Sequence, residues 1–202
     1  MTIPMYQSDA FTNKLYGGNP AAVCPLAEWL PDETMQNIAA ENNLAETAFF
    51  VRTEKGYHLR WFTPELEIDL CGHATLASAH IIFTQLGFTG EEILFDTQKA
   101  GVLKVTRNGD RYTLDFPSRP PYPAELPEAL VPALGGKQPK LTLRSRDYFL
   151  VYESEQDILD MVPDHSALAK IDAISIIVTA PGKDVDFAVS YTHLTLPTIL
   201  RV

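Results

Sequence analysis

The sequence predicts an α+β fold, in which short strands outnumber helices and pair mostly with their neighbours along the chain. The first observation is a series of short apolar runs bounded by turn residues, which is the pattern of β-strands. The second is one longer segment, Gly72 to Leu86, whose apolar residues lie on all sides of a helix. The third is Asn108-Gly-Asp110 between two strand candidates, a strong hairpin signal. These patterns indicate a strand-rich protein with one enclosed helix.

The segment before this helix is predicted to form four strands and a second helix. The strands are expected at 3–11, 21–24, 47–52 and 57–62, with a glycine-rich loop at 12–20. The second helix opens at Pro31-Asp-Glu-Thr34, because acidic residues in a first turn complement the helix dipole. The last two strands are joined by a short loop and predict a hairpin.

Beyond the enclosed helix, strands are expected at 93–97, 102–107 and 112–116. A segment with four prolines among seven residues then begins at Pro117, and because it suits neither a helix nor a central strand we predict a linker over 117–126. Past the linker, the pattern predicts helices at 128–134 and 156–161 and strands at 140–144, 148–152 and 174–179. The sequence therefore predicts an N-terminal domain over 1–116 and a second domain over 127–188.

The second domain has no long apolar helix comparable to the one at 72–86. We therefore expect it to be incomplete, with an exposed sheet face that favours aggregation or local disorder. The stretch Val189 to Thr198 resembles a common sequencing adapter translated in one frame. We predict that residues 189–202 are a non-native tail that forms no part of the predicted fold.

Composition and charge exclude several classes of partner. The formal net charge is −10 and there is no basic run, which argues against nucleic acid or an anionic membrane as a partner. The two cysteines have no metal-ligand spacing, so neither a metal site nor a disulfide framework is expected. Without a targeting segment or a membrane-spanning apolar run, the sequence predicts a soluble cytoplasmic protein.

The head of the enclosed helix carries the clearest sign of an active site. The N–H groups of Gly72, His73, Ala74 and Thr75 point outwards with the positive end of the helix dipole, which suits a carboxylate or phosphate. Cys71 lies at the same end, where a thiolate is favoured and could act as a nucleophile or proton carrier, and His73 could orient a substrate. The alternative is a small buried cysteine beside a histidine that caps its own helix.

Glu46 is the candidate acid or base. In a strand it shares one face with Ala48 and Phe50, and a carboxylate on an apolar face is costly unless it has a partner. Burial there would favour its neutral form and suit it to proton transfer. The alternative is a half-solvated glutamate at the mouth of the strand.

Of four further residues, two are open to two interpretations and two have one expected role. Asp69 could bind substrate or simply end a strand, and Asn19 could present its amide to a ligand or form a turn. His80, in the middle of the helix, is expected to be a core histidine, and Cys24 is expected to be inert.

Five motifs occur in an order that resembles the N-terminal half of the phenazine-biosynthesis (PhzF-like) family, which is related to diaminopimelate epimerase and proline racemase. They are Asp9-Ala-Phe-Thr12, Gly18-Asn-Pro-Ala-Ala-Val23, Ala45-Glu-Thr-Ala-Phe49, Phe62-Thr-Pro64 and Asp69-Leu-Cys-Gly-His-Ala-Thr-Leu-Ala77. The resemblance covers roughly residues 3–188. It implies a diaminopimelate epimerase-like fold, in which each of two domains wraps a mixed β-sheet around a central helix and the active site lies between them.

The resemblance also implies roles for individual residues. Glu46 matches the family's general acid/base, which shifts a proton without a metal or organic cofactor, and Asn19 and His73 match positions that line the pocket. Cys71 aligns with the catalytic cysteine of the epimerases and racemases, whereas the phenazine isomerase lacks it. A further second-domain segment found in the family does not appear here, so we expect this chain to be truncated and inactive.

The sequence thus predicts a cofactor-independent isomerase that shifts a proton on a small anionic, carboxylate-bearing metabolite, with Glu46 as the acid/base. One alternative is a racemase or epimerase that uses the Cys71 thiolate. Another is a non-catalytic ligand-binding or dimerising module. A homodimer is an expected assembly of the full-length protein.

Overall fold

The computed structural model describes residues 2–14, 16–173, 175–193 and 196–201, in two compact units, Met1–Ser118 and Arg119–Val202. Residues 15 and 174, which belong to a predicted loop and a predicted strand, lie outside the described residues, as do 194, 195 and 202 of the predicted tail. Both units combine strands and helices, which confirms the predicted α+β class.

The first unit consists of strands and two helices: β1 (Tyr6–Ala10), β2 (Asn19–Leu26), α1 (Asp32–Asn42), β3 (Glu46–Arg52), β4 (Tyr57–Phe62), β5 (Glu67–Ile68), α2 (Gly72–Thr84), β6 (Glu92–Asp96), β7 (Val102–Asn108) and β8 (Arg111–Asp115). Its sheet has the order β1-β2-β3-β4-β6-β7-β8, and β5 pairs with β4. Both predicted hairpins, β3–β4 and β7–β8, are confirmed. Two pairs are parallel, β2 with β3 across α1 and β4 with β6 across α2.

The sheet curls around α2, which contacts β1, β2 and β3 on one side and β8 on another. Nine of the thirteen residues of α2 are buried, so the predicted enclosed helix is confirmed. The helix ends at Thr84 rather than at the predicted Leu86, which is 39% exposed. Because apolar side chains on all sides of α2 meet the sheet, this helix forms the centre of the first core.

The opposite face of the sheet is covered by α1. There Met35 and Ala39 of the helix pack against Cys24, Phe49 and Phe62 of the strands in a second, smaller core. The strands β2 to β4 are therefore buried on both faces, which explains why their sequences are apolar almost throughout.

The second unit also has a single sheet, with the order β14-β13-β12-β11-β10-β9. Its elements are β9 (Tyr122–Pro123), α3 (Leu130–Ala133), β10 (Leu141–Arg144), β11 (Tyr148–Val151), α4 (Glu155–Leu159), α5 (His165–Leu168), β12 (Ile176–Pro181), β13 (Phe187–His193) and β14 (Leu196–Arg201). In the described part of this unit no helix exceeds five residues. The proline-rich segment contributes only the edge strand β9, where a missing N–H is tolerated.

The sequence does not predict β5, β9 or α5, which are too short to show a periodic pattern. Residues of the predicted tail take part in β13 and β14. That they are non-native stays a prediction, as do the domain boundaries, since strand pairing does not depend on the origin of a sequence.

Candidate active site

Sheet register brings Asn19 and Glu46 to the same end and the same face of the first sheet. In the parallel pair β2–β3, Ala21 lies beside Glu46, and Asn19 precedes Ala21 by two residues. Because side chains two apart on a strand share a face, Asn19, Ala21 and Glu46 all point towards α2. Asn19 and Glu46 are each 1% exposed. The half-solvated alternative for Glu46 is therefore wrong.

The predicted alternation along β3 is also observed. Ala48 and Phe50 belong to the core around α2, whereas Phe49 belongs to the core under α1. Glu46 thus continues the apolar face that meets α2. Its carboxylate lies where the first turn of that helix begins.

Cys71, His73 and Glu46 form one buried cluster. The Cys71 Sγ atom lies 3.4 Å from His73 Nδ1, and His73 Nε2 lies 3.0 Å from Glu46 Oε2. One ligand atom from each of the three residues lies within 4.8 Å of those of the other two. The imidazole therefore contacts both a thiol and a carboxylate, which also interact with each other, in a buried site.

Burial and, second, the negative charge of Glu46 raise the pKa of the Cys71 thiol well above its usual value. The backbone N–H groups of Ala74 and His73 act in the opposite direction, by hydrogen bonding to the sulfur. The expectation that the helix end favours a thiolate is therefore wrong in its net result. The helix N–H groups lower the pKa of the thiol as predicted, but desolvation and the neighbouring carboxylate raise it by more.

The other predicted residues occupy different places around this cluster. The Thr75 hydroxyl donates a hydrogen bond of 2.5 Å to the Cys71 carbonyl, so its side chain stabilises the start of the helix. Ala74 lies in the core, and Gly72 and Asp69 are half-buried. His80 is half-buried rather than a core residue, with its Nδ1 3.1 Å from the Tyr112 hydroxyl.

A buried arginine with two partly exposed carboxylate partners, not predicted from the sequence, holds β5, which precedes Cys71. Arg60 is 6% exposed, its Nε and Nη2 each bind a carboxylate oxygen of Glu67 at 2.7 Å, and its Nη1 lies 2.9 Å from Asp32 Oδ1. The guanidinium also lies over the rings of Trp29 and Phe62. The sequence does contain a signal for this ion cluster, because Arg60 is a single arginine in an apolar strand. A buried charge requires partners, so its burial would have predicted acidic neighbours.

The sequence analysis also missed Trp61, which is 2% exposed on the α2 side of β4. Its indole Nε1 has no hydrogen-bond acceptor within the described ranges. A buried indole N–H normally has a partner, so Trp61 is a further candidate donor near the site.

Comparison with known proteins places these features in a family. The sequence profile of the family described as phenazine biosynthesis-like protein matches residues 8–189. An uncharacterized isomerase from Pseudomonas aeruginosa is 43% identical over 187 residues, which cover 93% of this chain and 71% of the relative. An uncharacterized isomerase from Halalkalibacterium halodurans is 44% identical, with the same coverage of both chains.

Solved structures agree with the sequence comparison. A PhzF family protein from Enterococcus faecalis has a TM-score of 0.85 and 44% identity, over 96% of this chain and 74% of that one. A predicted epimerase from Pseudomonas aeruginosa has a TM-score of 0.63 at 20% identity, which shows a shared fold alone. The expected diaminopimelate epimerase-like fold and family resemblance are confirmed. No helix in the described ranges is long and apolar enough to cross a membrane.

Proposed function

This chain belongs to the phenazine biosynthesis-like family, and on that premise we propose that it is an isomerase that shifts a proton on a small carboxylate-bearing metabolite. Glu46 is the general acid/base, and no cofactor takes part. The isomerase role follows the names of two relatives that cover more than nine-tenths of this chain.

The observation that carries the proposal is the environment of Glu46. Its carboxylate is 1% exposed, lies on the face of β3 that meets α2, and has the His73 imidazole 3.0 Å away. A carboxyl group held in a site with little water is a suitable acid or base, because its proton affinity is set by a few fixed neighbours. His73 is one such neighbour, and it can stabilise either form of the carboxyl group.

The first turn of α2 supports an anionic substrate. It carries the positive end of the dipole of a thirteen-residue helix. The N–H groups of His73 and Ala74 already hydrogen bond to the Cys71 sulfur, and that of Thr75 to the Cys71 carbonyl. A substrate carboxylate near Gly72 would be held by the Gly72 N–H group and this dipole while its neighbouring carbon faced Glu46. The half-buried Asp69 and the buried Asn19 would then select among substrates through hydrogen bonds.

The alternative is a racemase or epimerase that uses Cys71, and the 3.4 Å contact with His73 supports it. Ionising this thiol would put a second negative charge beside Glu46 in a buried site, which is costly. That cost favours Glu46 as the base, with Cys71 as a neutral neighbour.

The proposal is tested by proton exchange with solvent. The protein is incubated in deuterated buffer with a panel of small carboxylic acids that carry an acidic C–H, and deuterium incorporation is followed by NMR. Because the 202-residue chain is predicted to turn nothing over, we expect incorporation into at least one compound in a form with a complete second domain. There Glu46→Gln should lose about 10²–10⁴-fold. The uncharacterized isomerase from P. aeruginosa is assayed in parallel. Exchange by that relative without exchange by the 202-residue chain would agree with the separate prediction that this chain is inactive. Equal exchange in Glu46→Gln would remove Glu46 from the mechanism.

A further inference from the structure

We infer that Glu46, Cys71 and His73 form a binding site for one thiophilic divalent cation of the zinc class, which blocks the acid/base carboxylate. The ion is an inhibitor rather than a cofactor. The inference goes beyond the proposed function, because the three side chains would bind the ion whatever reaction the site performs.

The distances between the donor atoms of the three side chains suit a zinc ion. Ligand atoms around a tetrahedral zinc, with bonds of about 2.0–2.3 Å, lie roughly 3.5 Å from one another. Here the Cys71 and His73 ligand atoms are 3.4 Å apart, and one atom from each of the three residues lies within 4.8 Å of the others. Small side-chain rotations suffice to bring the three donors to a common ion.

The second argument is the chemistry of the donors. A thiolate, an imidazole nitrogen and a carboxylate oxygen are the three ligand types that zinc accepts. Magnesium and calcium require mostly oxygen ligands, so this set discriminates against them. Three protein ligands leave the fourth tetrahedral position for water.

The third argument is charge. With Cys71 as thiolate, Glu46 as carboxylate and His73 neutral, the ligand set carries two negative charges, which a divalent cation neutralises. The three residues are 7%, 1% and 1% exposed, and a buried charge is tolerated when it is paired or bound to a metal. Burial and the Glu46 carboxylate raise the pKa of the Cys71 thiol, so its thiolate needs the charge of a bound cation, and the hydrogen bonds from the amides of Ala74 and His73 reduce that need only in part.

His73 Nε2 lies 3.0 Å from Glu46 Oε2, but it is not aligned as a hydrogen-bond donor to that oxygen. The imidazole is therefore close to its neighbour but not locked to it by a directional bond. The ring is held through its other nitrogen, because Nδ1 lies 3.4 Å from Cys71 Sγ, and these are the two atoms that the residues would offer to the ion.

Binding is balanced as follows. The S–H bond of Cys71 breaks, its proton goes to solvent, and a metal–sulfur bond forms with the thiolate electron pair. Metals bind thiolate rather than thiol and so release protons on binding. Glu46 coordinates through a carboxylate oxygen, and it can then no longer accept a proton from substrate.

The test uses Co²⁺ as the probe with the full, untagged chain under anaerobic conditions. Cobalt bound to a thiolate gives a near-ultraviolet charge-transfer band, and tetrahedral cobalt gives intense visible bands. We expect both bands to saturate at one equivalent, to disappear when Zn²⁺ is added, and to persist when Mg²⁺ is added. In weak buffer, about one proton should be released per ion.

Variants assign the ligands. Cys71→Ser should lose the charge-transfer band, and Glu46→Gln and His73→Asn should each weaken cobalt binding at least tenfold. Cys24→Ser, which replaces the other buried free cysteine, is the matched control and should bind as the unaltered protein does. Thermal melts establish that each variant is folded, and Cys71→Ala provides a second test of the sulfur if the serine variant is not.

Three results would overturn the inference. They are the absence of a thiolate band at excess Co²⁺, an unchanged band in folded Cys71→Ser or Cys71→Ala, and unchanged affinity in Glu46→Gln. Because the readout is spectroscopic, failure here leaves the isomerase proposal standing. Failure of the exchange assay leaves the metal site standing but removes its inhibitory role, which rests on the proposed function.

Discussion

His73 Nε2 lies 3.0 Å from Glu46 Oε2, and each of these side chains is 1% exposed. A histidine and a glutamate in contact and out of water depend on each other, because the loss of either leaves the other poorly solvated. This contact joins β3 to the first turn of α2. The two halves of the candidate site are therefore coupled through this contact and through the interaction of Glu46 with Cys71.

Cys71→Ala separates the two enzymatic interpretations. If Glu46 is the base, Cys71→Ala keeps most of the exchange rate and Glu46→Gln loses about 10²–10⁴-fold. If the thiolate is the base, the two variants are equally damaged, and iodoacetamide inactivates the unaltered protein. Deuterium incorporation measures both, and Cys24→Ala is the control because burial raises the pKa of that thiol to about 12.

Arg60→Met should destabilise the first unit. The change leaves Glu67 and Asp32 without their cation. Asp32 is 76% exposed and stays solvated, so the cost comes from Arg60–Glu67, and breaking a fully buried pair costs about 3–5 kcal/mol. Glu67 is 27% exposed, so water solvates part of the released charge and we expect about 2–3 kcal/mol. Urea unfolding measures the change, with Arg52→Met at the exposed end of β3 as the control. A cost equal to that of the control would show that the cluster contributes nothing.

His80 should make stability depend on pH. Desolvation lowers its pKa in the folded protein, so the unfolded chain binds the proton more tightly. Stability should therefore fall as pH decreases through the unfolded value of about 6.5 and on towards the lower folded value. Urea unfolding at several pH values, compared between the protein and His80→Gln, isolates this contribution. The same slope in both proteins would contradict the prediction.

Gly18→Ala should be far more damaging than Gly109→Ala. Both glycines have positive φ, 71° and 65°, which costs a non-glycine residue about 1–2 kcal/mol. At Gly18 the added methyl group would also lie 2.0 Å from the Ala10 carbonyl oxygen, whereas at Gly109 it meets nothing within 4 Å. Thermal melts of the two variants give the comparison. Equal shifts would show that the β1–β2 turn adapts, and that the position of the adjacent Asn19 is not fixed by it.

Local patterns were sufficient for much of the fold. The all-round apolar pattern of 72–86 predicted an enclosed helix, Asn108-Gly-Asp110 predicted the β7–β8 hairpin, and alternation in β3 gave the correct face for Glu46. Each of these depends on residues close together in sequence. The motifs around Glu46 and Cys71 then identified the family.

What the sequence did not predict depends on long-range contacts. The parallel pairing of β2 with β3 joins strands separated by a helix, and no local signal sets its register. The choice between a reactive thiolate and a small buried cysteine at position 71 also depends on distant residues. Burial in the fold and, second, the charge of Glu46 on a distant strand raise the pKa of this thiol. Arg60 likewise has partners 7 and 28 residues away.

The enclosure of α2 also has a kinetic consequence. The strands that contact it include β1, which begins at residue 6, and β8, which ends at residue 115, so its core contains contacts between residues far apart in the chain. Closing such loops costs conformational entropy before the contacts form and stabilise the fold. Folding therefore slows as contacts become less local. Early structure in the first unit should therefore be limited to the hairpins β3–β4 and β7–β8, each held by a short turn. The candidate site formed by β2, β3 and the head of α2 would then be among the last parts of the unit to assemble.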